Sequence, residues 1–258
     1  MKLSAAFGLV VDFRYAISVA FLPTIRAIFR SPSLLLRPQT ISQVFMSHVW
    51  RTFGDLVDEG GRDAKQSLVP NNAYGTVLDV GAGRGHLLNY LNRASVTKYV
   101  ALEPNTLMHD AIRQLANASG YNENSGSLVI LAYGAEEVPS IVSALGGPNS
   151  VDTIVSILSF CSIPEPRAVL SAMVDNLLRS GGQLLFYEHV LSPRADVAWW
   201  QRFWTPIWSK AFDGCRLDRP THLWIESLDI WTTRDVWAKE GESEENLFWH
   251  RVGRYVKS

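Results

Sequence analysis

A chain of 258 residues, 47% hydrophobic and 19% charged, has room for one large α/β domain with a buried core and a terminal extension, but not for two full domains. Its 24 Lys and Arg against 25 Asp and Glu leave no net field to gather nucleic acid, so small-molecule partners are expected. The two cysteines, Cys161 and Cys215, are too few for a disulfide framework and are not spaced like metal ligands, which points to a reducing, cytoplasmic setting and to no metal site.

Residues 1–70 read as a basic, apolar, helical extension, and residues 71–258 as the main α/β domain. The first fifty residues carry Lys2, Arg14, Arg26, Arg30 and Arg37 against a single acid, Asp12. The longest uncharged stretch, Tyr15 to Ile25, contains Pro23 and falls short of the ~20 residues of a membrane-spanning helix, so it is not expected to span. Three readings stay open: helices covering the domain core, a basic amphipathic anchor in peripheral contact with an internal membrane, and an Arg-rich targeting peptide.

From Gly75 onward, short β-branched runs alternate with helical stretches, as in parallel βαβ units. The strands are predicted at Thr76–Val80, Tyr99–Leu102, Leu128–Ala132, Asp152–Leu158 and Gln183–His189, with helices at Leu87–Ala94, Thr106–Ala118 and Pro166–Leu178. An aromatic helix, Trp199–Phe212, follows. The chain then closes on a hairpin, Leu228–Trp237 and Leu247–Lys257, around an acidic tip.

The strongest local signal is Val77-Leu78-Asp79-Val80-Gly81-Ala82-Gly83-Arg84-Gly85-His86, an apolar strand breaking into three glycines before a helix. Glycines there permit positive φ and remove Cβ atoms, so the backbone can turn sharply and a polar ligand can meet free N–H groups. A dinucleotide fingerprint would need glycine at position 86, where this chain has His86. One strand later, Glu103-Pro104-Asn105 puts an acid just past a strand end, where ribose hydroxyls lie in Rossmann-like sites.

This pairing resembles motif I and the acidic site of class I S-adenosylmethionine-dependent methyltransferases, from Thr76 to about His189. The resemblance implies an α/β fold, a Rossmann-like seven-stranded sheet whose last strand is antiparallel, and S-adenosyl-L-methionine as cofactor. By position, Asp79, Gly81, Ala82, Gly83 and Gly85 would hold the methionine end, and Glu103, Pro104 and Asn105 the ribose. Tyr133-Gly134-Ala135-Glu136-Glu137-Val138-Pro139 resembles the adenine segment, with Ala135 and Glu136 as contacts and Gly134 where many relatives have an acid. Leu158 and Ser159 would border the sulfonium. Ser180 stands for proline in the turn before the fifth strand.

Further on, Glu188-His189-Val190, Trp200-Gln201 with Pro206 and Trp208, and Asp213-Gly214-Cys215-Arg216-Leu217 are similar to the alkyl-thiol methyltransferases of the methyltransferase-like-seven family. Those proteins carry an apolar N-terminal membrane anchor, which here is interrupted by Asp12 and Arg14. From the residues alone, Phe160, Cys161, Trp200, Trp204 and Trp208 are expected to wall a pocket for an apolar acceptor, and the bland alternative is that the tryptophans are core. Methyl transfer from a sulfonium needs alignment and water exclusion more than a strong base. For a thiol with a reference pKa of about 8.5, His189 is the first candidate to assist deprotonation. Asp213 is the second, as base or orienter.

The expected function is therefore S-methylation of a small hydrophobic thiol. O-, N- or C-methylation of a biosynthetic intermediate is the enzymatic alternative. An inactive cofactor-binding protein that docks on membranes or partners is the alternative of another class.

Overall fold

Four helices precede the first strand in the computed structural model, which describes residues 1–258: α1 (Leu3–Ala6), α2 (Gly8–Arg30), α3 (Pro38–Gly60) and α4 (Arg62–Leu68). Counting uncharged residues understates α2. The helix runs through Pro23, and the Thr24 hydroxyl donates to Ala20 O at 2.7 Å beside it. Residues Leu3–Arg30 are long and apolar enough, by length and composition, to cross a membrane, with a mean hydropathy of 1.7 and 22% of that window buried. The expectation that no segment has this capacity is corrected on that point.

A seven-stranded sheet follows, built from β1 (Gly75–Val80), β2 (Val96–Leu102), β3 (Leu128–Leu131), β4 (Val151–Ile157), β5 (Leu178–His189), β6 (Trp231–Ala238) and β7 (His250–Lys257). The order is β3-β2-β1-β4-β5-β7-β6; β1 to β5 pair in parallel, and β7 runs antiparallel between β5 and β6. The order reverses between β1 and β4, which opens a crevice at their carboxyl ends. All five expected parallel strands and the hairpin form. β5 starts five residues early, through a bulged turn at Arg179–Gly182 that shifts its register on β4.

Helices cover both faces, so the strands read as near-continuous apolar runs. One core layer joins Leu78, Leu102, Ile154 and Phe186 to α6 (Val138–Ala144) and α7 (Pro166–Asn176). The other joins Val77, Tyr99, Val155 and Tyr187 to α4 and α5 (His109–Ala118). The helix expected over Leu87–Ala94 shrinks to a 3-10 turn, His86–Tyr90. There Asn92 captures the Ala94 N–H with its side chain, offering the backbone a turn in place of another helical bond.

α8 (Ala195–Ala211) and α9 (Thr221–Glu226) complete the chain. A third core gathers Leu9, Ala16 and Ala20 of α2, Met46 and Val49 of α3, and Trp208 with Phe212 at the end of α8. Of the three N-terminal readings, the buried face of α2 matches core covering. Its other face leaves Val11, Phe21, Leu22 and Phe29 exposed, the last at 81%.

Candidate active site

The crevice between β1 and β4 is shaped by three left-handed glycines. Gly81, Gly83 and Gly85 have φ of 68°, 56° and 86°, a region that L side chains enter only at a cost. The Gly81 and Ala82 N–H groups donate to Leu102 O, pinning the loop to the end of β2. A Cβ on Gly81 would lie 2.7 Å from Ser159 Cβ, so motif I and the loop after β4 are in van der Waals contact. At Gly83 nothing lies within 4 Å of the place a Cβ would occupy, which leaves that backbone open to a ligand.

Two buried carboxylates face this loop. Glu103 accepts from the Gly83 N–H at 2.7 Å and the Asn105 N–H at 2.8 Å, one on each oxygen, while His109 Nε2 holds its carbonyl at 2.8 Å. Asp79 accepts from the Tyr99 hydroxyl at 2.6 Å. Burial pushes both carboxyls up to about 7, against the opposing hydrogen bonds from Tyr99 to Asp79 and from the Asn105 and Gly83 amides to Glu103. A ligand bringing hydroxyl donors and positive charge offsets that desolvation. S-adenosylmethionine carries both, so the residues fit it: Asp79 and Gly81–Gly85 would hold its amino-acid end, and Glu103 and Asn105 its ribose.

Helix α3 roofs this crevice, which the sequence did not signal. Asn105 Nδ2 donates to Gln43 O at 3.0 Å, His86 Nε2 lies 2.9 Å from Asp55 Oδ1, and a Cβ on Gly54 would meet the His86 ring at 2.8 Å. The Ser42 hydroxyl donates to Asp213 Oδ1 at 3.2 Å. Asp213 is exposed and left-handed (φ 46°), and its charge reaches Glu103. Pro104 and Glu136 are exposed at the crevice rim, and Ala135 is buried beneath it. The Glu136 carboxylate folds over Gly134, where a Cβ would come within 2.4 Å of its Oε1.

The loop after β4 is clasped from β5. Glu188 is fully buried and one of its oxygens accepts from Ser156 Oγ at 2.7 Å, Ser159 N–H at 2.9 Å and Phe160 N–H at 3.3 Å. Leu158 takes φ 55° to make that bend. Arg219 Nη1 donates to Phe160 O and Ile163 O, both at 2.7 Å, from the other side. The sequence offered Glu188 only as the neighbour of His189.

His189, Cys161 and Cys215 converge at a buried corner beside this loop, although the two cysteines lie far apart in the chain. Cys215 Sγ lies 3.5 Å from His189 Nε2, and the Arg216 N–H donates to Cys161 O at 3.0 Å. A hydrogen bond with Cys215, together with burial, holds the Cys161 thiol well above its usual pKa.

The other expected pocket walls are placed differently. Phe160 points into the core under α7. Trp200 and Trp204 pack edge-on against Phe7, with Trp204 Nε1 donating to Ala6 O at 2.7 Å, so they seat the N-terminal helices. Trp208 stacks on Phe212 at 3.9 Å and touches Phe248, whose ring meets His189. Gln201, unmarked beyond its place in a motif, is a buried staple: it accepts from the Ser192 N–H and donates to Val190 O and Leu247 O. Two apolar openings lie against α2: one of about 350 Å³ between α2, α3 and the end of α8, lined by Phe13, Ile17, Ile41, Ser42, Phe45 and Phe212 among others, and one of about 110 Å³ where Trp204 and Trp208 meet Leu9, Val10, Phe13 and Ile207, so these two tryptophans do wall an apolar pocket.

Residues 53–229 match the family described as methyltransferase domain. Over 184 residues the chain is 31% identical to the rat (Rattus norvegicus) thiol S-methyltransferase TMT1B, covering 70% of each chain. Its match to the human (Homo sapiens) protein of that name is 44% over 83 residues, 32% of this chain and 34% of that one. In structure it resembles a SAM-dependent methyltransferase of Thermotoga maritima with a TM-score of 0.57 at 15% identity, covering 86% of this chain and all of the other. Glycine loop, buried acid beside it, strand order and family match agree, and the chain belongs to the methyltransferase-domain family as a class I, S-adenosylmethionine-dependent methyltransferase.

Proposed function

We propose that this enzyme S-methylates small hydrophobic thiols. The observation that carries the proposal is the turn Phe212–Cys215, where two different surfaces meet. Phe212 lines the apolar cavity, and Cys215, whose N–H donates to Phe212 O at 2.9 Å, stands in the buried corner with Cys161 and His189. An apolar guest is thus led past Phe212 toward soft sulfur and imidazole groups, beside the loop that touches motif I. The names of the rat and human relatives support the same acceptor atom.

The cofactor supplies an activated methyl group. What the chain adds is placement: the glycine loop and Glu103 hold one reactant, the Glu188 clasp fixes the wall between the two, and α3 excludes water from above. His189, buried against Cys215, is the group of this corner that favours the thiolate, the nucleophilic form. Asp213 is a positioning residue that ties α3 to the rim through Ser42. A labelled-methyl assay over small thiols, phenols and amines tests the reading. Thioether products are expected, and methylated phenols or amines with no thiol turnover would overturn it.

We further propose that the enzyme is cytoplasmic and rests peripherally on an internal membrane through α2 and one stripe of α8. Phe21, Leu22 and Phe29 are exposed on α2, with Leu35 and Leu36 just beyond it, and Trp199, Phe203 and Ile207 are exposed at four-residue spacing on α8. Arg14, Arg26, Arg30 and Arg37 flank the first group. Flotation with anionic liposomes is expected, and flotation unchanged by Phe21→Ser with Phe203→Ser would refute this face.

A further inference from the structure

The side chains of Cys161, His189 and Cys215 each offer one ligand atom, and the three atoms lie within 4.8 Å of one another. These are the only two cysteines of the chain, both free, and the loops after β4 and α8 bring them to His189 at the end of β5. The spacing can be compared with a metal's demands. A tetrahedral zinc with Zn–S of about 2.3 Å and Zn–N of about 2.05 Å sets its ligands about 3.6 Å apart for S···N and about 3.8 Å for S···S. The observed Cys215 Sγ to His189 Nε2 separation is 3.5 Å. That edge needs no movement, and the remaining edges close by at most about 1 Å to reach the tetrahedral values.

Three features go beyond proximity. Two thiols and an imidazole are a soft donor set, suited to zinc and unsuited to magnesium or calcium. The cluster holds three ligand groups, which is the pattern of a catalytic zinc with one position open rather than a closed structural site. The frame around it is also braced. Arg219 holds the carbonyls of Phe160 and Ile163, Glu188 holds the amides of Ser159 and Phe160, and the Arg216 N–H holds Cys161 O.

We infer that Cys161, His189 and Cys215 bind one zinc ion, whose fourth position takes the sulfur of the acceptor thiol. The metal site stands on these three side chains, while its fourth ligand rests on the thiol reading above. On entry the acceptor's S–H bond breaks as the zinc–sulfur bond forms, and the proton passes to solvent. The zinc-held sulfur then forms the new C–S bond with the transferred methyl, and the electron pair of the broken bond stays on the donor's sulfur. The neutral thioether that results is a poorer zinc ligand than a thiolate, which favours release. In this scheme His189 works as a ligand and need not act as a base.

The test uses the full chain, purified after growth with added zinc and again after exchange into cobalt(II). One zinc per chain is expected by elemental analysis. The cobalt form should show a sulfur-to-cobalt charge-transfer band and the intense visible bands of four-coordinate thiolate ligation. Benzyl mercaptan should shift that spectrum. Cys161→Ser and Cys215→Ser should each lower zinc affinity at least tenfold while cofactor binding persists; if either variant fails to fold, the cobalt spectrum of the unaltered chain decides. Absence of stoichiometric metal and of the charge-transfer band overturns the site. Metal-free protein that methylates thiols at full rate overturns a catalytic zinc and leaves S-methylation standing. Bound zinc in a protein that turns over no thiol sinks the thiol reading and leaves the metal site. Thiol turnover with a cobalt spectrum indifferent to benzyl mercaptan removes the fourth-ligand assignment.

Discussion

Replacing Glu103 by Gln should make the cofactor-free protein more stable and a weaker binder at the same time. Burial raises this carboxyl from 4.5 to about 7 despite its two amide donors. At about 1.4 kcal/mol for each factor of ten, holding it ionised in the empty site disfavours the folded state by roughly 3 kcal/mol. The sign follows from proton uptake: the folded chain holds the proton more tightly than the unfolded chain. Wild-type stability therefore falls as pH rises from about 4.5 through 7, and the loss is complete above that. The side chain of the Glu103→Gln variant carries no such charge. Urea melts of the free protein should show the variant ahead of wild type by under about 1 kcal/mol near pH 5 and by up to roughly 3 kcal/mol near pH 8.5. Cofactor binding should move the other way, because a neutral amide loses charge-assisted bonds to the ribose and presents an NH₂ to one of the two amides. Titration calorimetry should read a loss of about 1 to 3 kcal/mol. A variant no more stable at pH 8.5 than at pH 5, relative to wild type, would show that the carboxylate is not desolvated. Unchanged affinity would remove Glu103 from the site.

Two neighbouring glycines should separate folding from binding: Gly81→Ala drives a Cβ into Ser159 at 2.7 Å and should unfold the loop, whereas Gly83→Ala meets open space, should cost only about 1 to 2 kcal/mol for its positive φ, and should abolish cofactor heat. His189→Ala should slow thiol turnover by roughly 10² to 10⁴ fold. Recovery at high pH with zinc retained would identify a general base, and loss of zinc without recovery identifies a ligand. Trp204→Phe removes the bond to Ala6 O and should lower stability by about 1 kcal/mol in a thermal melt without changing cofactor affinity. Deleting residues 1–30 strips Leu9, Ala16 and Ala20 from the core around Trp208 and Phe212, and a loss of roughly 4 kcal/mol is expected in urea; an unchanged midpoint would show that α2 covers nothing.

The parallel strands were legible because helices bury both faces of the sheet, leaving runs such as Leu128–Leu131 with no polar residue to confuse their length. The cofactor loop was legible because glycine takes the positive φ of Gly81, Gly83 and Gly85 without the cost an L side chain carries there, and three such glycines in five residues mark the turn. What failed was set by single side chains or by distance along the chain. Asn92 ended a helix that the apolar spacing of residues 87–94 supported. Strand alternation placed Glu188 opposite His189 but could not say that both sides are interior, nor that its carboxylate would shape a loop 29 residues earlier. The tryptophans announced an aromatic wall, and their partner is the N-terminal helix pair, which has no local signal linking it to α8. The cysteine spacing hid a cluster for the same reason, since two loops and the end of β5, far apart in the chain, bring Cys161, His189 and Cys215 together.

The Glu188 clasp also fixes an order of assembly. The acceptor-side loop from Leu158 to Cys161 has few bonds of its own and borrows its shape from a strand made about thirty residues later. A nascent chain that has formed β1 to β4 already owns its glycine loop and Glu103, yet it has no acceptor wall until β5 adds to the sheet. During refolding, the amides of Ser159 and Phe160 should therefore gain exchange protection in step with Leu184–Glu188, later than those of Gly81 to Gly83. If the exchange data show that order, cofactor capture comes before acceptor recognition in the life of each molecule, with the reactive corner the last part of the crevice to form.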